Sequence, residues 1–170
     1  WVPPAQALLR SGAKVGDRVF VSGTLGAGLA GRQALGASGL APGRLGLTGL
    51  PATLAPYLTP VPRVSLGLAL RGKATACIDI SDGLVAELGH LADASSVGLQ
   101  LDSEAVPRVG TLEDALTGGD DYELLFTLPP EEATGEKLTA LATRGNVAIQ
   151  EIGVCEAEAG LRGLPPLGKA

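Results

Sequence analysis

The 170-residue sequence contains no methionine, one histidine and only two cysteines, and each scarcity closes off a class of chemistry. Cys77 and Cys155 stand far apart and match neither a dithiol motif nor a zinc-ligand spacing, so they read as buried free thiols. Thirteen Lys and Arg against 18 Asp and Glu leave a net charge of −5. The basic residues are scattered, which excludes the clustered cationic face that nucleic acid requires. An anionic ligand would have to be held locally, by a metal ion, a helix N-terminus or a placed Arg. No apolar run approaches the ~20 residues of a membrane span, and no basic segment followed by an apolar stretch opens the chain. The expectation is a cytoplasmic protein with no membrane and no nucleic-acid partner. A chain that begins Trp1-Val2-Pro3-Pro4, without an initiator, is expected to be a fragment or a trimmed product.

What is present is a hydrophobic fraction of 45% in a length that suits one domain, residues 1–170, with a core of its own. The run Arg18-Val19-Phe20-Val21-Ser22 predicts a strand, followed by a small-residue helix at about Leu25 to Ala37 and a Gly- and Pro-rich surface loop over 38–51. Two short helices flank Pro60-Val61-Pro62-Arg63, the second at about Val64 to Leu70. Ala74 to Ile80 reads as an apolar strand. Leu84, Val85, Leu88, Leu91 and Ala92 then form the stripe of a helix laid on a sheet, with Glu87, His90 and Asp93 on its other face. Strands follow at Gly98 to Asp102, Tyr122 to Leu128 and Val147 to Val154, with a helix at Glu131 to Thr143. The fold class predicted is α/β (α+β), a mixed β-sheet with helices packed on it.

Polar chemistry concentrates in two places. Along Cys77-Ile78-Asp79-Ile80-Ser81-Asp82-Gly83-Leu84, strand alternation turns Asp79 and Ser81 away from the packing of Ile78 and Ile80. Asp82 is expected in the first helical turn, Ser81 as the N-cap, and Gly83 where another backbone approaches. Two neighbouring carboxylates suit a hard divalent cation such as Mg²⁺ with phosphate completing its shell, and the helix N-terminus would favour the same phosphate. The same residues suit an ordinary helix cap. In Thr117-Gly118-Gly119-Asp120-Asp121-Tyr122-Glu123, three acids enter an apolar strand, which disfavours Asp. These residues suit either a binding loop or an acidic turn before an edge strand. His90 and Trp1 are assigned no role.

Five segments occur in order: Arg10-Ser11-Gly12-Ala13-Lys14-Val15-Gly16-Asp17, Ser22-Gly23-Thr24-Leu25-Gly26, Pro60-Val61-Pro62-Arg63, Ile78-Asp79-Ile80-Ser81-Asp82-Gly83-Leu84 and Leu116-Thr117-Gly118-Gly119-Asp120-Asp121-Tyr122-Glu123-Leu124. Together they resemble the second half of the thiamine-monophosphate kinase family, over about Arg10 to Gly153. That family shares a C-terminal α/β domain with the aminoimidazole ribonucleotide synthetase-like superfamily, whose other members include selenophosphate synthetase and a hydrogenase-maturation protein.

The resemblance implies ATP-dependent phosphorylation of thiamine monophosphate to thiamine diphosphate. It implies Asp79 and Asp82 as Mg²⁺ ligands, Ser81 and Arg10 as ATP contacts, and Asp120 as a substrate contact, at a position where the family more often carries Glu. It further implies a two-domain enzyme whose N-terminal half, with more metal-binding Asp residues, does not precede Trp1, and whose C-terminal aromatic segment is not found at Leu167-Gly168-Lys169-Ala170. The family's homodimers form largely through the N-terminal half, so the full-length protein is expected to dimerise and this chain to be a monomer or weak dimer. No general base is needed when the acceptor is an ionised phosphate oxygen, which agrees with the lack of a Ser-His-Asp grouping or activated Cys. The alternatives are another ATP-dependent member of the superfamily and a non-catalytic domain that kept the fold.

Overall fold

The structure is a computed structural model that describes residues 2–3, 6–38 and 52–167. Six strands form one sheet: β1 (Arg18–Ser22), β2 (Ala76–Asp79), β3 (Gly98–Leu101), β4 (Leu124–Leu128), β5 (Ile149–Glu156) and β6 (Gly160–Arg162). Their order is β2-β4-β1-β5-β3-β6, antiparallel throughout except for the parallel pair β3 and β6. The helices are α1 (Ala27–Ala37), α2 (Ala55–Leu58), α3 (Val64–Leu70), α4 (Leu84–Ser95), α5 (Leu112–Thr117) and α6 (Gly135–Gly145).

Alternation along the central strands makes two cores. Val19 and Val21 of β1, Ala76 and Ile78 of β2, and Leu125 of β4 face one side, where Leu84, Leu88 and Leu91 of α4 and Ala115 and Leu116 of α5 join the same cluster. Phe20, Cys77, Phe126 and Leu128 face the other, packed with Leu66 and Leu70 of α3 and Leu141 of α6. Phe20 and Phe126 are register partners whose rings stack at 5.6 Å. Each fully buried Leu or Phe contributes about 1.5–3 kcal/mol, so this double-faced burial dominates the domain's stability.

The predicted fold class is correct, as are the helices flanking Pro60 to Arg63 and the stripe of α4, although several elements start later than expected and β5 and α6 run two residues further. The strand expected from Tyr122 begins at Leu124, because Asp120 (φ 67°) and Tyr122 (φ 52°) adopt left-handed conformations that end a ladder. It is an interior strand between β2 and β1, which removes the edge-strand reading of its acidic entry. Helix α5 was absent from the sequence-based expectation although Thr111 and Asp114 form a capping box. The loop expected over 38–51 lies outside the described residues beyond Ser38, as does Trp1.

Both cysteines are buried free thiols, as expected. Burial, then the nearby carboxylates Asp79 and Asp17, pushes Cys77 and Cys155 respectively up to about 12, so neither supplies a thiolate at neutral pH. As pH rises past 9, the ordinary value for a thiol, the unfolded chain releases protons that the folded chain still holds. Stability should therefore fall with pH from about 9 to 12, by about 1.4 kcal/mol per unit for each thiol. Urea midpoints at pH 8 and 10.5 check this, and replacing either Cys with Ala should flatten the slope by about half.

Candidate functional site

Asp79 ends β2, one of the two edge strands of the sheet, and its side chain is exposed while Ile80 is fully buried. The turn that follows differs from the capping expectation. Helix α4 starts at Leu84 with Gly83 as its N-cap, so Ser81 does not cap and Asp82 precedes the first turn. Gly83 has φ 102°, and a Cβ there would lie 2.9 Å from the backbone of Thr117, confirming the close approach.

The turn is organised by Glu87, placed on the solvent face by periodicity but 3% exposed in the structure. Its Oε1 accepts from Ser81 Oγ and the Asp82 backbone N–H, both at 3.3 Å. A carboxylate of the protein itself therefore sits in the turn just before the helix, beside the N-terminus reserved for phosphate in the sequence reading. Signals for this inversion were available: Glu87 sits one turn after Gly83, and its long side chain can fold back towards the helix start. Glu87→Ala should loosen the Ser81–Asp82 turn and cost about 1–3 kcal/mol by leaving its donors unpaired, whereas Glu87→Gln should cost less. Chemical denaturation of both variants tests the ranking.

The second acidic loop is laced to the first. Ile80 N–H donates to Glu123 O at 2.8 Å, while Tyr122 and Asp120 N–H donate to Ile80 O and Ser81 O, each at 2.9 Å. Its acids then divide. Asp121 caps α1, its two carboxylate oxygens accepting from Gly26 N–H at 2.8 Å and Gly28 N–H at 2.9 Å. Burial raises its pKa, and those backbone donors oppose the rise. Glu123 is 5% exposed and accepts from Ser22 Oγ at 2.5 Å and from Arg63 Nε and Nη2 at 2.7 and 2.5 Å. Arg63 in turn is raised, first by its hydrogen bond to Glu123. Neither Asp121 nor Glu123 is thus available to a ligand through those oxygens.

Asp120 remains at the surface, and its only side-chain hydrogen bond among the described residues comes from Tyr122 Oη–H at 3.2 Å. That bond, with the charges of Asp120 and Asp79, holds the Tyr122 phenol above its ordinary value. Arg10 is carried to the same side by a segment tied at several points. Cys77 N–H donates to Leu9 O at 2.7 Å, and Gly12 and Ala13 N–H both donate to Ser95 Oγ at 3.2 Å. Buried Asp17 accepts from Lys14 N–H and Thr75 Oγ1.

Two cavities meet at this end of the sheet. A groove of about 540 Å³ is lined by Arg10, Arg63, Val64, Ile78 and Asp79 among others. A neighbouring pocket of about 450 Å³ lies between the start of α1 and the Pro56 to Val61 segment, with Arg63, Asp121 and Glu123 as its charged lining. The structure therefore brings Arg10 and Asp79 into one groove, while Asp120 is bonded by Tyr122 on the neighbouring loop. Ser81 and Asp82 line neither cavity.

Among the described residues no three or more His, Cys, Asp or Glu side chains converge to hold a metal ion. Asp79 and Asp82 nonetheless suit a share in one. Both are exposed, and neither carboxylate accepts a hydrogen bond among the described residues. Two such oxygen donors fit a hard cation that takes the rest of its shell from elsewhere.

The chain is similar to known proteins over most of its length. The chain is 40% identical over 142 residues to thiamine-monophosphate kinase of Salmonella typhimurium, covering 76% of this chain and 42% of that protein. It is 36% identical over a 172-residue alignment to the Caulobacter vibrioides thiamine-monophosphate kinase, covering 90% and 45%. The chain thus spans less than half the length of these relatives. The crystal structure of thiamine-monophosphate kinase from Stenotrophomonas maltophilia K279a superposes with TM-score 0.80 at 35% identity, over 92% of this chain and 52% of that one. AaThiL complexed with AMPPCP and TMP superposes with TM-score 0.74 at 34% identity, over 95% and 53%. Escherichia coli HypE, at 22% identity and TM-score 0.67, shares the fold. Residues 14–164 match the C-terminal domain of AIR synthase related proteins, and the chain belongs to that family.

Proposed function

We propose that this chain is the C-terminal half of a two-domain, Mg²⁺-dependent thiamine-monophosphate kinase, completed by an N-terminal half such as its relatives possess. The observation that carries the reading is the division of acids at the laced loops. Glu87, Asp121 and Glu123 are consumed in holding the loops, whereas Asp79 and Asp82 are exposed, Asp120 is bonded only by Tyr122, and Asp79 shares a groove with Arg10. Support also comes from the relatives' shared name and from AMPPCP and TMP in one solved relative.

In this reading an oxygen of the thiamine monophosphate phosphate bonds to the γ-phosphorus of ATP. The bond from that phosphorus to the bridging oxygen breaks, and ADP leaves with the electron pair. The acceptor oxygen is already ionised, so the residues need only align the two phosphates and offset their charge. Arg10 and Ser81 contact the ATP phosphates, Asp120 orients the acceptor, and Asp79 and Asp82 hold the cation. Mg²⁺, when bound there, neutralises phosphate charge that would otherwise repel the acceptor. The complete protein is further proposed to be a cytoplasmic homodimer; among the described residues no helix is long and apolar enough to cross a membrane.

The test is phosphoryl transfer from Mg-ATP to thiamine monophosphate by this chain and by the protein extended through its N-terminal half. Turnover in the extended protein, with little in the chain alone, is the expected result. Failure of the extended protein to use thiamine monophosphate would overturn the substrate assignment.

A further inference from the structure

We propose that Arg63, clamped by Glu123, binds a phosphate oxygen at the junction of the two cavities and so orients the phosphoryl group between nucleotide and acceptor. The role rests on the kinase reading above. Among the described residues, Arg63 is the one that lines both the groove containing Arg10 and Asp79 and the pocket beside α1. A cation shared by two cavities is suited to a group that passes from an occupant of one to an occupant of the other.

The guanidinium is built for this in two respects. Its Nε and Nη2 edge is spent on both oxygens of Glu123, while Nη1 has no partner among the described residues and the side chain stays 22% exposed. Three of its five N–H donors therefore remain for a ligand, enough for a phosphate oxygen or two. Its anchor is also immobile, since Glu123 is buried, takes the Ser22 hydroxyl as well, and belongs to the loop laced to Ile80. A donor fixed before the ligand arrives loses little entropy on binding it. A merely structural crosslink would serve as well with both groups sealed in the core, and would not need its free edge at a cavity wall.

The experiment uses the extended protein, with Arg63→Met and Arg63→Lys. Binding of inorganic tripolyphosphate with Mg²⁺ is measured by calorimetry, and kcat and KM for both substrates by steady-state kinetics, at a temperature where circular dichroism shows the variants folded. The expected result is tripolyphosphate binding weakened about tenfold and kcat lowered about a hundredfold in Arg63→Met. In Arg63→Lys, binding should recover in part but kcat should not, because a point charge cannot hold both Glu123 and a phosphate in the same plane. Should Arg63→Met fail to fold, Arg63→Lys carries the test alone. A kcat within about threefold of the parent in either folded variant would overturn the inference and leave Arg63 a structural crosslink. No turnover of thiamine monophosphate by the parent, with tripolyphosphate binding still dependent on Arg63, would bring down the kinase reading and the transfer role with it, and spare only phosphate binding by Arg63.

Discussion

Asp79→Asn and Asp82→Asn, each in the extended protein, should lower turnover of thiamine monophosphate by at least about a hundredfold while shifting Tm by no more than about 2 °C. The asymmetry follows from where these carboxylates sit. Neither accepts a hydrogen bond among the described residues, so the folded domain loses no contact when the charge goes. If the two help to hold Mg²⁺, the loss should appear as a higher Mg²⁺ requirement, and saturating Mg²⁺ should rescue Asp82→Asn more readily than Asp79→Asn, because Asp79 lines the groove and Asp82 does not. Kinetics across a Mg²⁺ titration, beside thermal melts, separate this from a structural role. A drop in Tm of more than about 5 °C with kcat intact would show that these acids serve the fold instead.

The contrasting acids show how far the sequence could be read. Periodicity located α4, and the motif order located the two loops, because both depend on residues close together in the chain. It could not divide the acids. Asp120, Asp121 and Glu123 are nearly adjacent, yet one faces the surface, one caps α1 and one pairs with Arg63. That outcome depends on left-handed Asp120 and Tyr122, which rotate successive side chains away from strand alternation, and on partners about 60 to 100 positions distant. Glu87 was misplaced for a related reason. Helical period gives the direction of Cα–Cβ, whereas a long, flexible Glu side chain at a helix start reaches back to whichever donors the preceding turn leaves unpaired. Helix α5 was legible through its capping box and was missed, because its six residues are too few to show a period.

The largest loss of stability is expected from Gly23→Ala. Gly23 has φ 63°, and a Cβ on it would stand 2.0 Å from Glu123 Oε1 and 2.3 Å from its Cδ. A flexible side chain could ordinarily withdraw, but this carboxylate is held by Ser22 on one side and by both edge donors of Arg63 on the other. Alanine must therefore add about 1 kcal/mol of backbone strain and also unseat Glu123, leaving a part-buried guanidinium unpaired; together about 3–5 kcal/mol is expected. Glu123→Ala alone should cost a similar amount by the same loss. The two cannot add, because once the carboxylate is gone the new methyl has nothing to strike. In the Glu123→Ala background Gly23→Ala should cost only the strain, about 1 kcal/mol, giving a coupling of about 2 kcal/mol or more. Urea unfolding of the four proteins in this cycle measures it. Additive costs would mean that Glu123 relaxes freely and that Arg63 is less firmly held than its two short bonds imply.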